Sequence, residues 1–207
     1  MHRLIDGAVH FHENDYREHE DLFHRISKEQ HPHTLFITCA DSRVIPSMIT
    51  HTKPGDLFIL RNIANIVPPV ERAEEFPSAI SALLFAVEVL GVVNIVVCGH
   101  SNCAGCAMMV DDKAFEAAPQ VTRRWMGLAS QVGELVEAQP GSDHPGIRQW
   151  MAEQTNVLEQ MKHLLSHPPI RKRYNESSLT IRGWYYHIDS GEVFQYDEAT
   201  GRFELLN

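Results

Sequence analysis

The sequence predicts an α/β fold: a central, mostly parallel β-sheet covered by helices, with an antiparallel C-terminal extension and an N-terminal helical arm. Three observations predict it. Short apolar runs at residues 34–38, 57–60 and 94–98 alternate with helical patterns. These runs are continuously apolar rather than alternating, as in strands buried on both faces of a parallel sheet. Beyond residue 178 the pattern turns β-rich, broken by Asp189-Ser190-Gly191 and Thr200-Gly201, which suit hairpins.

The elements follow in order. Residues 7–30 are mostly polar, with Leu22, Phe23 and Ile26 at helical spacing. They predict one or two amphipathic helices, so residues 1–30 form an arm that packs on a partner subunit. Pro32 ends it, and the first strand covers 34–38. Pro46 opens a short helix to residue 51, because proline suits a first helical turn. Pro54-Gly55 is a turn before the second strand, 57–60. Pro68-Pro69 opens a solvated acidic loop over residues 71–75. Pro77 starts a helix through residue 90, closed by Gly91. Its apolar residues cover nearly the whole circumference, which predicts burial on most sides. A third strand, 94–98, leads into a helix at 103–110. Helices at 119–139 and 145–165 flank Pro140-Gly141, and strands at 179–188, 192–196 and 202–205 complete the chain. Residues 1–207 read as a single domain with one core.

Composition narrows the function. A formal charge of −9 argues against nucleic acid as a partner, because phosphate binding needs a basic face. The longest apolar run, 92–98, is interrupted by Asn94 and is too short to span a bilayer, so no membrane partner is expected. Met1-His2-Arg3-Leu4-Ile5-Asp6 lacks the apolar core of a signal peptide, which predicts a cytoplasmic protein. Three of the four cysteines, Cys98, Cys103 and Cys106, fall within nine positions. That grouping fits metal or thiol chemistry in a reducing compartment better than a disulfide scaffold.

The chemistry concentrates in two clusters, each after an apolar strand: Cys39-Ala40-Asp41-Ser42-Arg43 and Cys98-Gly99-His100-Ser101-Asn102-Cys103. In an open parallel sheet, ligands bind beyond the carboxyl ends of the strands. Cys39, His100 and Cys103 then supply two thiolates and one imidazole to one ion. This soft set favours Zn2+ and leaves a fourth position open, as a catalytic site requires. Asp41 decides what that position does. Ionised, it accepts a hydrogen bond from a bound nucleophile, with Arg43 gripping its carboxylate through two parallel hydrogen bonds. Alternatively Asp41 leaves Arg43 and becomes the fourth ligand, which shuts the site.

These residues resemble the β-class carbonic anhydrases, whose pattern Cys-x-Asp-x-Arg followed by His-x-x-Cys stands here as Cys39/Asp41/Arg43 and His100/Cys103. The resemblance extends from about Gln30 to Gly183-Trp184-Tyr185-Tyr186. It includes Pro54-Gly55-Asp56 and Arg61-Asn62-Ile63-Ala64-Asn65. It implies reversible hydration of carbon dioxide to bicarbonate and a proton by attack of zinc-bound hydroxide, with one zinc per chain and Asp41 and Arg43 as the catalytic pair. It also implies a homodimer as basic unit, or a larger homo-oligomer such as a tetramer. The family's substrate positions carry over as Gln30, which would hydrogen-bond a substrate oxygen, and as apolar Phe58, Ile63 and Phe85, some contributed by the neighbouring chain.

Departures are visible. Ala104 stands where the family usually has glycine after the second cysteine. Leu84-Phe85 replaces the usual Glu-Tyr pair, removing a pocket hydroxyl. Some members close their site around a bicarbonate bound by a tryptophan, an arginine and a tyrosine. Arg61 and Tyr186 match, but Phe36 stands at the tryptophan position. The resemblance therefore implies an open site with Asp41 on Arg43. Two rival readings remain: a hydrolase of another heterocumulene (carbon disulfide or carbonyl sulfide) on the same scaffold, and a non-catalytic zinc-stabilised interaction module. Cys98 and Cys106 read as core residues, His31, His33 and His51 as solvated surface. Arg61 and Asn62 either touch substrate or bridge strand ends across a dimer interface.

Overall fold

A computed structural model describes all residues, 1–207. One six-stranded sheet organises it, in the order β2-β1-β3-β4-β5-β6. The strands are β1 (Thr34–Cys39), β2 (Leu57–Asn62), β3 (Asn94–His100), β4 (Thr180–Tyr186), β5 (Val193–Asp197) and β6 (Arg202–Leu205). β1 to β4 run parallel, and β5 and β6 add antiparallel. The predicted fold class is therefore the observed one. From β1 the chain goes to one side for β2, then crosses to the other for β3. The carboxyl ends of β1 and β3 flank this switch point, where such sheets bind ligands.

Continuous apolar runs produce continuous burial where both faces are covered. All of β1 is buried, as is β3 after Asn94. β2 lies at the edge and is only partly buried. Both strands at the switch point run one or two residues further than the sequence suggests. Cys39 and His100 thus end strands rather than begin loops, and the ladder fixes their positions.

The long helix Pro145–Ser166 crosses β3 and β4. Close approach is possible because Gly99 and Gly183 face it. A Cβ on Gly99 would lie 2.7 Å from Val157 Cγ2, and one on Gly183 2.6 Å from Met161 Sδ. The helix then buries Ala152, Val157 and Leu164 along one stripe. No helix is long and apolar enough to cross a membrane.

Three expectations are corrected. The helix from Pro77 changes at Leu84 into a π-helical turn, Phe85–Val89. It buries Ile80, Leu83, Ala86 and Val87, but Phe85 is 43% exposed and Val89 66% exposed. Its all-round apolar surface is therefore matched by the core on one side only. The helix expected at 103–110 is regular only over Ala104–Ala107. The acidic stretch Val70–Glu75 is a 3-10 helix rather than a plain loop, and Arg72 and Arg124 both donate to Glu75.

The N-terminal segment is helical from His2 to Glu18, with a π-helical stretch at Phe11–Asp15, and again from Glu20 to Ile26 after a turn at His19, and none of its helices buries a residue within the chain. Phe11, Tyr16 and Phe23 contact one another, while Leu4, Ile5 and Val9 stay exposed.

Candidate metal centre

Cys39 ends β1, His100 ends β3, and Cys103 is the residue before the helix Ala104–Ala107. Thr38 pairs with Cys98 across the ladder, so Cys39 and His100 emerge side by side. Asn102 takes a left-handed conformation (φ 55°), which turns the chain back so that Cys103 faces Cys39. The three ligand atoms lie within 4.8 Å of one another, and all three residues are buried.

The donor set fits a zinc ion. Cys39 Sγ and Cys103 Sγ are 3.9 Å apart. Two thiolates at about 2.3 Å from a tetrahedral zinc are separated by roughly 3.8 Å. His100 Nδ1 donates to the Ser101 carbonyl at 2.9 Å. That bond leaves Nε2 as the unprotonated nitrogen, and Nε2 is buried without a partner. Without a cation the site is ill-suited to charge. The hydrogen bond with Cys103 and burial push the Cys39 thiol up to about 12. A divalent ion supplies what holds both sulfurs as thiolates.

Asp41 stands at the mouth. Its Oδ2 is 3.9 Å from His100 Nε2. Arg43 holds it with Nε on Oδ1 at 3.0 Å and a terminal nitrogen on Oδ2 at 2.7 Å, while the Arg43 backbone N–H donates to Oδ1 at 2.9 Å. The side-chain hydrogen bonds from Arg43 hold the carboxyl well below the usual carboxylate range. Arg43 also donates to the Asn102 carbonyl, tying the two clusters together. Arg61, from the end of β2, donates to the carbonyls of Cys39 (3.1 Å) and Asp41 (2.6 Å). It clamps the loop from behind, a role the sequence reading did not foresee. Asn62 folds back onto Ile66, with its side chain both donating to and accepting from that backbone.

A cavity of about 560 Å³ opens beside Ala40, lined by Arg61, Ile63, Phe76 and Trp125 among others, and mostly apolar. Trp125 Nε1–H donates to the Ile63 carbonyl. Ile63 therefore sits near the metal centre of its own chain. Phe58 and Phe85 do not. Their rings lie 6.1 Å apart, but Phe58 pairs with Leu35, four positions before the Cys39–Asn62 pair. That is roughly 13 Å down the strand. Gln30 is exposed at the end of the arm. Phe36 packs edge-on to Trp184 at 6.0 Å. Cys98 and Cys106 are buried free cysteines, while His31, His33 and His51 are exposed.

Sequence reasoning missed Glu153, which is 2% exposed and accepts from the Cys103 backbone N–H at 3.0 Å. A signal was present. Glu153 falls on the buried stripe of its helix with Asn156, Val157, Gln160 and Leu164, and charge on such a stripe asks for a partner.

Comparison with known proteins agrees with this geometry. The carbonic anhydrase family profile matches residues 34–193. A carbonic anhydrase of Helicobacter pylori (strain J99) is 36% identical over 203 residues, covering 97% of this chain and 92% of that protein. The structure of the β-carbonic anhydrase CcaA superposes with a TM-score of 0.94 at 34% identity, covering 100% and 99% of the two chains. One of two tetrameric β-carbonic anhydrases from Sordaria macrospora superposes with a TM-score of 0.77 at 29% identity, covering 94% and 95%. Matching these enzymes along its whole length, and in about a third of its residues, this chain belongs to the β-class carbonic anhydrases.

Proposed function

We propose that the chain hydrates carbon dioxide reversibly to bicarbonate and a proton at the Cys39/His100/Cys103 centre, with Asp41 and Arg43 as its working pair. The observation that carries the role of Asp41 is its place: an ionised carboxylate oxygen 3.9 Å from the orphaned His100 nitrogen, yet held off by Arg43. Cys39, His100 and Cys103 would hold a zinc ion, which would supply Lewis acidity to make water a nucleophile near neutral pH. Asp41 accepts a hydrogen bond from the attacking oxygen and directs its lone pair. Arg43 keeps Asp41 charged and turned from the ligand position. Ile63 offers carbon dioxide an apolar wall, which suits a substrate without charge.

The second half of the pocket belongs to a partner. Phe58, Phe85 and Gln30 serve a centre other than their own, since within one chain the two rings lie far down the sheet. The exposed face of Phe85 and Val89 and the unburied arm support a homodimer, or a tetramer like those of the Sordaria macrospora enzymes. In this reading residues 1–207 are one domain and residues 1–30 its arm across the partner. Four free cysteines suit a reducing compartment, which supports the cytoplasm.

Stopped-flow hydration of carbon dioxide by zinc-loaded protein tests the proposal. Proton release that rises with zinc occupancy supports it. An inactive zinc-loaded protein removes it. Turnover of carbonyl sulfide or carbon disulfide in place of carbon dioxide would reassign the substrate.

A further inference from the structure

Within the long helix, Glu153 is a buried carboxyl group that the reaction as described leaves unused. Oε1 accepts from the Cys103 backbone N–H at 3.0 Å and from Gln149 Nε2 at 3.1 Å. Oε2 accepts from the Tyr185 hydroxyl at 2.8 Å. These three partners are neutral. A buried carboxylate satisfied only by neutral donors is costly, so its geometry needs a reason.

The reason lies in the Asn102–Cys103 peptide. Its carbonyl, on the solvent side, accepts from Arg43 at 3.2 Å. Its N–H, on the core side, donates to Glu153. The peptide plane is thus held at both ends, directly after a residue in the left-handed region, φ 55° at Asn102. That plane sets the direction of the Cys103 Cα–Cβ bond, and with it the 3.9 Å separation of the two sulfurs. Two elements, the long helix and β4, fix Glu153 itself. It rides on the helix packed against Gly99 and Gly183, Gln149 lies one turn earlier on the same helix, and Tyr185 pairs with Gly99 across the sheet.

We propose that Glu153 is a positioning residue for the metal centre: through the Cys103 amide it aims that thiolate at the ion, with Tyr185 and Gln149 holding it in place. This rests on the reading of Cys103 as a ligand. Groups that orient metal ligands carry about tenfold to a hundredfold in metal affinity.

The test is zinc affinity by competition with a chromophoric chelator, together with the thiolate-to-metal absorption of the cobalt(II)-substituted protein. Glu153→Leu should bind zinc about tenfold to a hundredfold more weakly and shift the cobalt bands. Glu153→Gln keeps an oxygen acceptor at the same place and should recover most of the affinity. A folded Glu153→Leu protein with parental zinc affinity and an unaltered cobalt spectrum overturns the proposal and leaves the metal-centre reading standing. Parental protein that binds no zinc, or binds it equally well as Cys103→Ser, removes both. Should Glu153→Leu not fold, the Tyr185→Phe/Gln149→Leu double variant leaves Glu153 with the Cys103 amide alone. Weakened zinc binding there supports the proposal, and unchanged binding overturns it.

Discussion

Gly99→Ala tests how tightly the sheet and the long helix are keyed together. The added methyl would sit 2.7 Å from Val157 Cγ2 and 3.4 Å from the Glu153 carbonyl oxygen. Carbon atoms settle at about 3.5–4.0 Å, so one side must move by close to an ångström. Val157 is fully buried and cannot swing into solvent. Gly99 is not in the left-handed region, so alanine suits its backbone and reduces unfolded-state freedom by about 0.4–1 kcal/mol. Overpacking costs about 1–3 kcal/mol. The net is a loss of about 1–2 kcal/mol, or about 2–8 °C in Tm for a chain of this size. Thermal unfolding of zinc-free Gly99→Ala, Val157→Ala and the double variant measures it. Val157→Ala removes the obstructing methyl, so the double variant should be more stable than the sum of the singles by about 0.5–3 kcal/mol. A Gly99→Ala protein as stable as the parent, or strict additivity, refutes the reasoning. A functional consequence follows, since Glu153 lies one turn before Val157. Gly99→Ala should also weaken zinc binding, and Val157→Ala should restore part of it.

Other outcomes are specific. Asp41→Ala should keep its zinc and lose about a hundredfold or more in carbon dioxide hydration; full activity would make the Asp41–Arg43 pair structural only. Chelation should abolish hydration and added zinc restore it, while activity that survives complete zinc removal contradicts the site. Removing residues 1–26 should lower the oligomeric state seen by light scattering, because none of those helices holds a fully buried residue within its own chain; an unchanged assembly assigns the arm elsewhere. Burial holds the His163 imidazole below its ordinary pKa despite its bond to the Val67 carbonyl and the nearby Glu159 and Glu71. The unfolded chain therefore takes up a proton that folded His163 resists, and stability falls as pH drops through about 6.5. His163→Gln should flatten the decline in Tm between about pH 7.5 and 5.5. An equal slope in both proteins speaks against it.

Local chemistry settled much of this protein in advance. Continuous apolar runs specify strands with two covered faces, and a thiol, an imidazole and a second thiol just beyond two such runs specify a soft cation. Asp41 and Arg43, two positions apart, can meet through local geometry alone. Proline and glycine punctuation marked the helix from Pro77 and its stop at Gly91, which does take φ 68°. What a linear pattern does not carry is which atoms meet across long separations. The peptide between Asn102 and Cys103 is held by Arg43 and Glu153, 59 and 50 positions from their partners. Arg61 grips the Cys39 loop only because β2 lies beside β1. The helix from Pro77 looked buried all round because periodicity counts apolar residues without saying what covers them. Packing decided that its Phe85 face stays uncovered within one chain. Sequence by itself marked the candidate ligands and the kind of ion they suit. Only the tertiary structure decided what aims them, because aim depends on backbone groups whose partners are chosen by topology.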